Sequence, residues 1–457
     1  MLPDDVLLAI FDFYVKEDQF TKRGIEAWQS LVHVCQRWRS LVFGSPRYLN
    51  LQLVCTPGTQ RGMLDVWPAL PLVFEGCVSR PEVDNVIAML EHNDRMCRIG
   101  LRYDSSSQME KVWAAMQEPF PELAHLQLRC DNTDQVVPDF FLGGSAPRLR
   151  FLQLDAVPFP GLPKLLLSTT HLVSLHLSDI PHSGYFSPEA LVTALSLITN
   201  LNKLSLGFRS LLSRPDPKSR HSLPSTRTVL PALTHFDTEV ASEYLEDFVA
   251  RVDVPRLNEL RITLFNQIDI DTPQLVQFMS RTPTLKMHDE AHVTIGPCTV
   301  NVTLLSRTDP GLLTVHILFG ESDFQLSSLV RVSTSSLPCL STVESLYIYE
   351  EYGLQSDWED EIRIENTEWL DLLRPYTAAE NLYLSEEFVP GVMRALKDSE
   401  SVGGRRTVLP ILQTLSLEGF YQYLPGPAKG DIWQFVTTRR FSGYFFTVSF
   451  WDGTGRF

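Results

Sequence analysis

The chain has 457 residues, of which 44% are hydrophobic, and a formal net charge of −16. This length exceeds the size at which one hydrophobic core keeps growing, so we expect several domains, or a small domain joined to a repeat array. The hydrophobic fraction excludes wholesale disorder. The acidic charge argues against a nucleic-acid-binding protein, which needs a basic surface to meet phosphates.

Cysteine usage and apolar runs indicate the compartment. The seven cysteines are scattered and form no C-x-x-C pair, which argues against a zinc framework and against a disulfide scaffold. The segment Met1–Asp5 lacks the basic start and the apolar run of a signal peptide. No stretch approaches the roughly 18 uninterrupted apolar residues of a membrane span. We therefore expect no membrane association and a cytoplasmic or nuclear location.

Two amphipathic helices are predicted in the first fifty residues. Pro3–Asp5 is typical of a helix start, because proline fixes φ and the acids favour the positive end of the helix dipole. Val6, Ile10 and Phe13 follow at helical spacing. The second predicted helix has an apolar set at i, i+3, i+4 and i+7, namely Leu31, Val34, Cys35 and Trp38.

These two segments resemble an F-box. The F-box order LP…IF…VC+xW+ is followed by Leu2-Pro3, Ile10-Phe11 and Val34–Arg39. The sequence of Ser45–Leu72 is similar to that of a large group of fungal F-box-like proteins. The resemblance implies a three-helix module, residues 1–50, that docks on the Skp-family adaptor of a cullin–RING ubiquitin ligase. The adaptor contacts that it implies are Leu2, Pro3, Ile10, Leu31, Val34, Cys35 and Trp38. The alternative is that these apolar residues form only the core of a small helical hairpin.

The rest of the chain alternates strand and helix patterns. Copies of L-x-x-L-x-L begin at Leu123, Leu149, Leu172 and Leu201, and weaker ones at Leu233, Leu257, Val343, Ala379 and Leu412. From Leu123 to Leu257 the motif recurs about every 27 residues, a period typical of leucine-rich repeats. Amphipathic helices are predicted between the strands, and Ser187–Glu189 and Thr272-Pro273 are typical starts of such helices.

The pattern predicts an α/β fold, in which the small N-terminal helical module precedes an irregular leucine-rich-repeat solenoid, or horseshoe, with its strands along one face. The solenoid is expected over residues 81–440, after a connecting segment at 51–80. The ninth repeat position, which usually carries an asparagine that bonds neighbouring backbones, does not carry one in the four clearest copies: Asp131, Val157, Ile180 and Arg209.

Some segments depart from the repeat pattern. Residues 213–228 are polar and proline-rich, which favours a flexible insertion. Residues 291–319 are β-rich and fit no repeat. The stretch from Glu350 to Glu368 is strongly acidic, which is typical of a solvated loop, with a docking site for a basic partner as the alternative.

The C-terminal segment, residues 441–457, is predicted to be a capping strand. It places Phe446, Val448 and Phe450 on one side, and it would close the end of the repeat array.

No pattern in the sequence predicts catalysis. The G-x-S-x-G elbow, the phosphate loop and the dinucleotide fingerprint are all absent from the sequence. His288 and His292 could share a zinc ion on a helix. However, Val293–Ile295 favours a strand, in which the two histidines would lie about 13 Å apart, at roughly 3.3 Å per residue. We therefore predict no enzymatic activity, no metal and no cofactor.

The function predicted from the resemblance is that of a substrate receptor. The N-terminal module would hold the Skp-family adaptor, and the repeats would hold an unidentified target protein. The alternative is a non-catalytic leucine-rich-repeat scaffold for protein interactions that is not linked to ubiquitination.

The repeats also predict where a target would bind. Strand side chains alternate, so the residue between the last two leucines of each motif faces away from the leucine core, which places it on the inner, concave face of the predicted horseshoe. We call these residues the outer row, because they face away from the leucine core: Gln127, Gln153, His176, Ser205, Asp237, Arg261, Tyr347, Tyr383 and Ser416. Tyr347 and Tyr383 are the best anchor candidates, because aromatic side chains often dominate binding energy. The alternative is that this row is only solvated and that targets bind loops such as 213–228.

Overall fold

The chain forms two compact units, described here from a computed structural model. Unit 1 comprises Met1–Phe186 with Leu197–Leu201, and unit 2 comprises Ser187–Ser196 with Asn202–Phe457. The structure describes residues 2–18, 27–59, 64, 69–103, 109–130, 135–210, 212–213, 226–265, 272–296, 299–307, 311–318, 330, 337–350, 366–401, 408–418, 426–441 and 443–451. None of the described helices is long and apolar enough to cross a membrane.

Unit 1 begins with three helices. They are α1 (Asp4–Asp18), α2 (Ala27–Val32) and α3 (Gln36–Gly44). Leu7, Phe11 and Val15 recur at i, i+4 and i+8 on the buried face of α1. Their small core also contains the buried side chains of α2 and α3, which are Trp28, Leu31, Val32 and Val42.

The second predicted helix is wrong in one respect, because the structure divides it into two helices, α2 and α3. α2 ends at Val32, and Cys35 has the extended backbone angles φ −160° and ψ 167°, which no helix can contain. Leu31, Val34, Cys35 and Trp38 therefore do not share one helix face. Val34 and Cys35 are exposed in the connection between α2 and α3.

The sheet of unit 1 is parallel, with its strands in chain order. The strands are β1 (Leu53–Cys55), β2 (Leu72–Val78), β3 (Met96–Tyr103), β4 (His125–Cys130), β5 (Phe151–Asp155) and β6 (Ser174–Ile180). The helices between them are α4 (Val83–Leu90), α5 (Met109–Ala115) and α6 (Leu162–Leu166). The first two strands, β1 and β2, lie in the segment 51–80.

The sheet of unit 2 is longer and mixed. In chain order, its strands are β7 (Lys203–Phe208), β9 (His235–Val240), β11 (Glu259–Phe265), β12 (Glu290–Ile295), β13 (Thr299–Leu305), β14 (Leu312–Leu318), β15 (Ser345–Glu350), β16 (Asn381–Leu384), β17 (Thr414–Glu418) and β18 (Thr447–Trp451). Two short strands, β8 (Thr228–Val229) and β10 (Val252–Asp253), pair separately.

The helices of unit 2 fill the connections between parallel strands. They are α7 (Pro188–Leu195), α8 (Ser242–Arg251), α9 (Pro273–Arg281), α10 (Asn366–Leu373), α11 (Val389–Ser401) and α12 (Gly426–Phe441). The predicted start of α7 is confirmed, because the Ser187 side chain accepts a hydrogen bond from the Ala190 N–H. The helices pack on the sheet through aromatic rings, as Phe248 of α8 does on Phe236 of β9, with ring centroids 5.3 Å apart.

Residues 291–319 contain most of a three-stranded insertion in the repeat sheet. The spatial order β11-β14-β13-β12-β15 reverses β12 to β14 relative to the chain. β13 is antiparallel to both of its neighbours, whereas β14 is parallel to β11 and β12 is parallel to β15. The insertion therefore presents a repeat-like parallel strand to the repeats on either side.

The leucine motifs form the core, as the repeat pattern predicts. The paired inward residues of β4 and β5 (Leu126, Leu128, Leu152 and Leu154) are buried. So are those of β15 and β16 (Leu346, Ile348, Leu382 and Leu384). The parallel strands and intervening helices are those of a leucine-rich-repeat-like region.

Backbone hydrogen bonds link successive repeats just before their strands. The N–H of Arg150 bonds to the carbonyl of Ala124 at 2.8 Å, and the N–H of Val173 bonds to the carbonyl of Arg150 at 2.8 Å. In unit 2, the N–H of Gln413 bonds in the same way to the carbonyl of Glu380 at 2.8 Å. These main-chain hydrogen bonds help to fix the register of adjacent strands.

Two helical glycines provide a test of how tightly the helix layer packs. A Cβ at Gly391 of α11 would lie 2.7 Å from Nε1 of the buried Trp369, whereas a Cβ at Gly430 of α12 meets nothing within 4 Å. Gly391→Ala should therefore lower the free energy of unfolding by about 1–3 kcal/mol. Gly430→Ala should raise it by up to about 1 kcal/mol, because alanine favours helix. Urea unfolding of both variants measures this, and equal midpoints would contradict the packing.

Candidate functional site

One face of α1 is apolar and exposed. Val6, Ile10, Phe13 and Tyr14 lie on this face at i, i+4, i+7 and i+8, and Leu2 directly precedes the helix; these five residues form the α1 stripe. Leu2 is 52% exposed, Ile10 48% and Phe13 69%. The adjacent face of the same helix, with Leu7, Phe11 and Val15, is buried in the three-helix core. α1 thus has two apolar faces, of which only one is covered by the described residues.

The start of the α1 stripe is held in place by α3. Nη2 of Arg37 donates a hydrogen bond to the carbonyl of Leu2 at 2.6 Å and forms an ion pair with Asp4 at 2.5 Å. The Trp38 ring packs on Phe11, with centroids 4.8 Å apart. The segment before α1 is therefore positioned by contacts to α3.

The seven residues implied as adaptor contacts fall into two groups. Leu2, Pro3, Ile10, Val34 and Cys35 are exposed. Leu31 is buried in the helical core and Trp38 is half-buried, so these two support the module. The implied set omitted Val6, Phe13 and Tyr14 of the stripe. The signal for them was present, since α1 carries a second apolar set, Leu7, Phe11 and Val15, that can fill the core.

The predicted outer row is present in each unit. In unit 1, Gln127, Gln153 and His176 are register partners on β4, β5 and β6. Beside them, the rings of His125 and Phe151 stack at 4.1 Å and 3°. Oγ of Ser174 lies 2.7 Å from Nε2 of His176. All of these side chains lie on the sheet face away from the leucines.

In unit 2 the predicted residues belong to one continuous row. Ser205, Asp237 and Arg261 are register partners on β7, β9 and β11. Tyr347, Tyr383 and Ser416 continue the same row on β15, β16 and β17. The residues that join these two parts were missed by the repeat pattern, because they lie in the three-stranded insertion: Thr314, Thr303 and His292.

Access to this row is uneven. Asp237 and Arg261 are exposed, whereas Tyr347 and Tyr383 are partly covered. Ser416 is only 4% exposed, and its hydroxyl lies 2.7 Å from that of Ser449 on β18. The prediction that Ser416 is available to a target is therefore wrong, because the neighbouring strand occupies its polar atom.

The far part of the row is an aromatic cluster. The rings of His292 and Tyr347 stack at 4.4 Å and 1°, and those of Tyr347 and Tyr383 at 4.1 Å and 8°. Trp451 meets Tyr347 and Tyr383 edge-on, each with ring centroids 5.8 Å apart. Stacked and edge-to-face pairs of this kind stabilise beyond their buried area. Tyr347 and Tyr383 are therefore a structural element as well as anchor candidates.

Charges on this outer face are mixed. Arg261 pairs with Glu259 on its own strand at 2.5 Å, and the Nε of Arg307 donates to Glu290 at 2.6 Å. Burial raises the pKa of Tyr347 above its usual range, and nearby Tyr383 adds to the effect. The Tyr347 hydroxyl therefore stays protonated and acts as a neutral hydrogen-bonding group.

The two histidines of the HDEAH segment are both buried. His292 lies within β12, whereas His288 precedes that strand. Burial lowers the pKa of each to about 4. Among the described residues, no group of three or more His, Cys, Asp or Glu side chains could hold a metal ion.

Two sequence predictions lie largely outside the described residues. The structure does not describe residues 214–225 of the predicted insertion or residues 351–365 of the acidic stretch. The flexible insertion and the docking loop therefore stay predictions, as do the predicted domain boundaries.

Comparisons with known proteins add little to this geometry. No protein-family model and no curated protein matches the chain. Among solved structures, the leucine-rich repeat-containing protein LegL7 from Legionella pneumophila is 13% identical, and the alignment covers 85% of this chain and 98% of that chain. Its TM-score is 0.28, which is too low to establish a common fold.

The buried histidines predict that stability falls with acid. Their folded pKa of about 4 lies below the ordinary value of 6.5, so the unfolded chain binds more protons between these values. Lowering the pH from 7 to 5 should reduce the free energy of unfolding by up to about 2 kcal/mol for each buried histidine. Urea unfolding at both pH values measures this loss.

His292→Phe is the diagnostic variant, since it keeps a ring on Tyr347 and removes the titrating group. It should remove the share of the acid-induced loss that His292 contributes and leave the share of His288, and His171→Gln, at an exposed position, is the matched control. An identical pH dependence in His292→Phe and the unaltered protein would contradict the assignment.

Proposed function

We propose that the protein is a substrate receptor of a Skp–cullin–F-box-type ubiquitin ligase. In this proposal the three N-terminal helices bind the Skp-family adaptor, and the outer face of the repeat strands binds a target protein. The α1 stripe carries the proposal. It is an exposed apolar surface on a small helical module, beside residues that resemble the F-box pattern.

Two physical features of the stripe support a protein partner. Contiguous exposed apolar side chains mark interaction sites more often than isolated ones do. In addition, the ion pair of Arg37 with Asp4 and its hydrogen bond to Leu2 hold the start of the stripe in place. A preorganised surface loses less conformational freedom when it binds.

The mechanism in this proposal is bridging rather than chemistry. The adaptor would hold the module, and the repeats would hold the target, so that the target stays near the conjugating enzyme. Tethering raises the effective concentration of the target there, which favours transfer of ubiquitin to it. The chain would supply positions and no reacting group.

Adaptor binding is predicted to depend on the centre of the stripe. Ile10→Asp should weaken binding of a purified Skp-family adaptor at least about tenfold, because a carboxylate would replace an apolar anchor in the contact. Ile10 is 48% exposed, so the variant should fold normally. Isothermal titration calorimetry of the full chain measures the affinity.

Leu167→Asp is the matched control. Leu167 is 45% exposed and lies at the end of α6, away from the N-terminal helices in the chain, so this variant should bind the adaptor as the unaltered protein does. If the unaltered protein does not bind the adaptor, the receptor proposal fails and a scaffold function is left. Equal losses in both variants would place the contact elsewhere.

Target binding is predicted to depend on the accessible charges of the outer row. Reversing both, in Asp237→Lys with Arg261→Glu, should abolish capture of the target from lysate and leave adaptor affinity unchanged. Both side chains are exposed, which spares the aromatic cluster and the core. Mass spectrometry of captured proteins compares the variants.

The control for this pair reverses two charges on the helices of the same unit, in Glu189→Lys with Arg394→Glu. These residues are exposed on α7 and α11, and the control should retain the target. If the row variant still captures the target, or if the row variant and the control lose it equally, the target binds another surface.

A further inference from the structure

The last described strand of unit 2, β18, is poorly buried. It pairs in regular register with β17, yet all five of its side chains, Thr447–Trp451, are exposed or only half-buried. Among the described strands of the two units, every other one has at least two buried side chains, apart from the separate pair of β8 and β10. Polar contacts therefore carry much of the attachment of β18, and such contacts add little net stability where water can replace them.

The residue just before β18 is firmly anchored. Phe446 is buried, and its ring meets the ring of Phe435 in α12 with centroids 5.6 Å apart. Nη2 of Arg440 also donates a hydrogen bond to the carbonyl of Phe446 at 2.9 Å. If β18 separates from β17, it therefore pivots after Phe446 and stays attached to the unit.

β18 covers one end of the outer row. The ring of Trp451 meets the rings of Tyr347 and Tyr383 edge-on, each with centroids 5.8 Å apart. Because the strand order is β15-β16-β17-β18, this side chain extends over β17 to reach them. The hydroxyl of Ser449 lies 2.7 Å from that of Ser416, which is only 4% exposed. A weakly held strand thus covers the aromatic end of the row.

We propose that β18 is a displaceable lid over the aromatic end of the outer row, Tyr347 and Tyr383. Segments with few buried apolar contacts open at a much smaller free-energy cost than the core does. In the closed form, Trp451 covers the two tyrosine rings. In the open form, the chain is still fixed at Phe446, the rings are uncovered, and Ser416 is accessible to solvent.

The lid controls access to the two anchor candidates of the row. That a target uses this access rests on the proposed target-binding role of the outer row, whereas the opening itself does not. Closure also limits the exposed apolar surface when no target is present, which disfavours nonspecific association.

Hydrogen–deuterium exchange of the purified full chain tests whether β18 opens. The amides of residues 447–451 should exchange at least about 100-fold faster than those of β1. β1 is the matched control, because it also ends the strand order and pairs with one described neighbour, but its Leu53 and Cys55 are buried. Equal exchange in both strands would make β18 an ordinary edge strand and overturn the proposal.

Thiol labelling tests whether the lid covers the row. The cysteine of Ser416→Cys should react with iodoacetamide at least about tenfold faster than that of Ser345→Cys. Ser345 is the matched control, since it is 2% exposed on the same face of β15 and its hydroxyl accepts a hydrogen bond from Asn381 of β16. Peptide mass spectrometry distinguishes each introduced thiol from the native ones, of which Cys35 and Cys77 are exposed.

Trp451→Ala links the labelling to the lid. It should speed labelling at position 416 at least about tenfold and leave position 345 unchanged, because it removes the ring contacts to Tyr347 and Tyr383. Labelling at position 416 that is as slow as at position 345, or that Trp451→Ala does not change, would contradict the lid. These measurements use no target, so the lid and the proposed target-binding role can fail independently.

Discussion

The alternation of side chains along parallel strands is the constraint on which the rest of this structure depends. Because the leucines of each motif are committed to the interior, the residue between them has only the outer face to occupy. Leu415 and Leu417 are buried, and Ser416 between them lies on the opposite side. A one-residue slip in any strand would expose its leucines, so burial of the core fixes the register and thereby the composition of the outer face.

The same constraint explains how the repeats tolerate an inserted antiparallel segment. β12 to β14 replace a simple crossover between repeats. Even so, Val293, Val302 and Val315 lie on the core face of the sheet, and His292, Thr303 and Thr314 lie on the outer face. The outer row of unit 2 therefore passes through the insertion without interruption. Backbone hydrogen bonds also link successive repeats just before their strands.

Much of the sheet could be predicted from the sequence, since leucine spacing reports both strand position and side-chain direction. The pairing of β12 to β14 could not, because alternation identifies a strand but not its neighbours. The sequence pattern also did not predict the break before α3, because helical spacing of apolar residues does not report the extended backbone of Cys35. The loss of Ser416 from the candidate surface follows from a hydrogen bond to Ser449, which only the assembled sheet reveals.

The N-terminal helices follow a different rule, in which one helix carries two apolar faces. Leu7 and Phe11 fill the small core, while Ile10 and Phe13 remain outside. Among the described residues, the apolar side chains of α1 therefore outnumber those that the module buries, and the excess forms a stripe rather than being scattered. The receptor proposal rests on this surplus, because a partner that covers the stripe would complete the burial.

Hydrogen–deuterium exchange of the full chain, alone and saturated with a purified Skp-family adaptor, tests this account most directly. The account predicts slower exchange in residues 4–18 and 36–44, where the adaptor would stabilise α1 and α3 against opening. It predicts unchanged exchange in the outer-row strands of unit 2, such as β9 and β11. Slower exchange in those strands, with α1 unaffected, would contradict it.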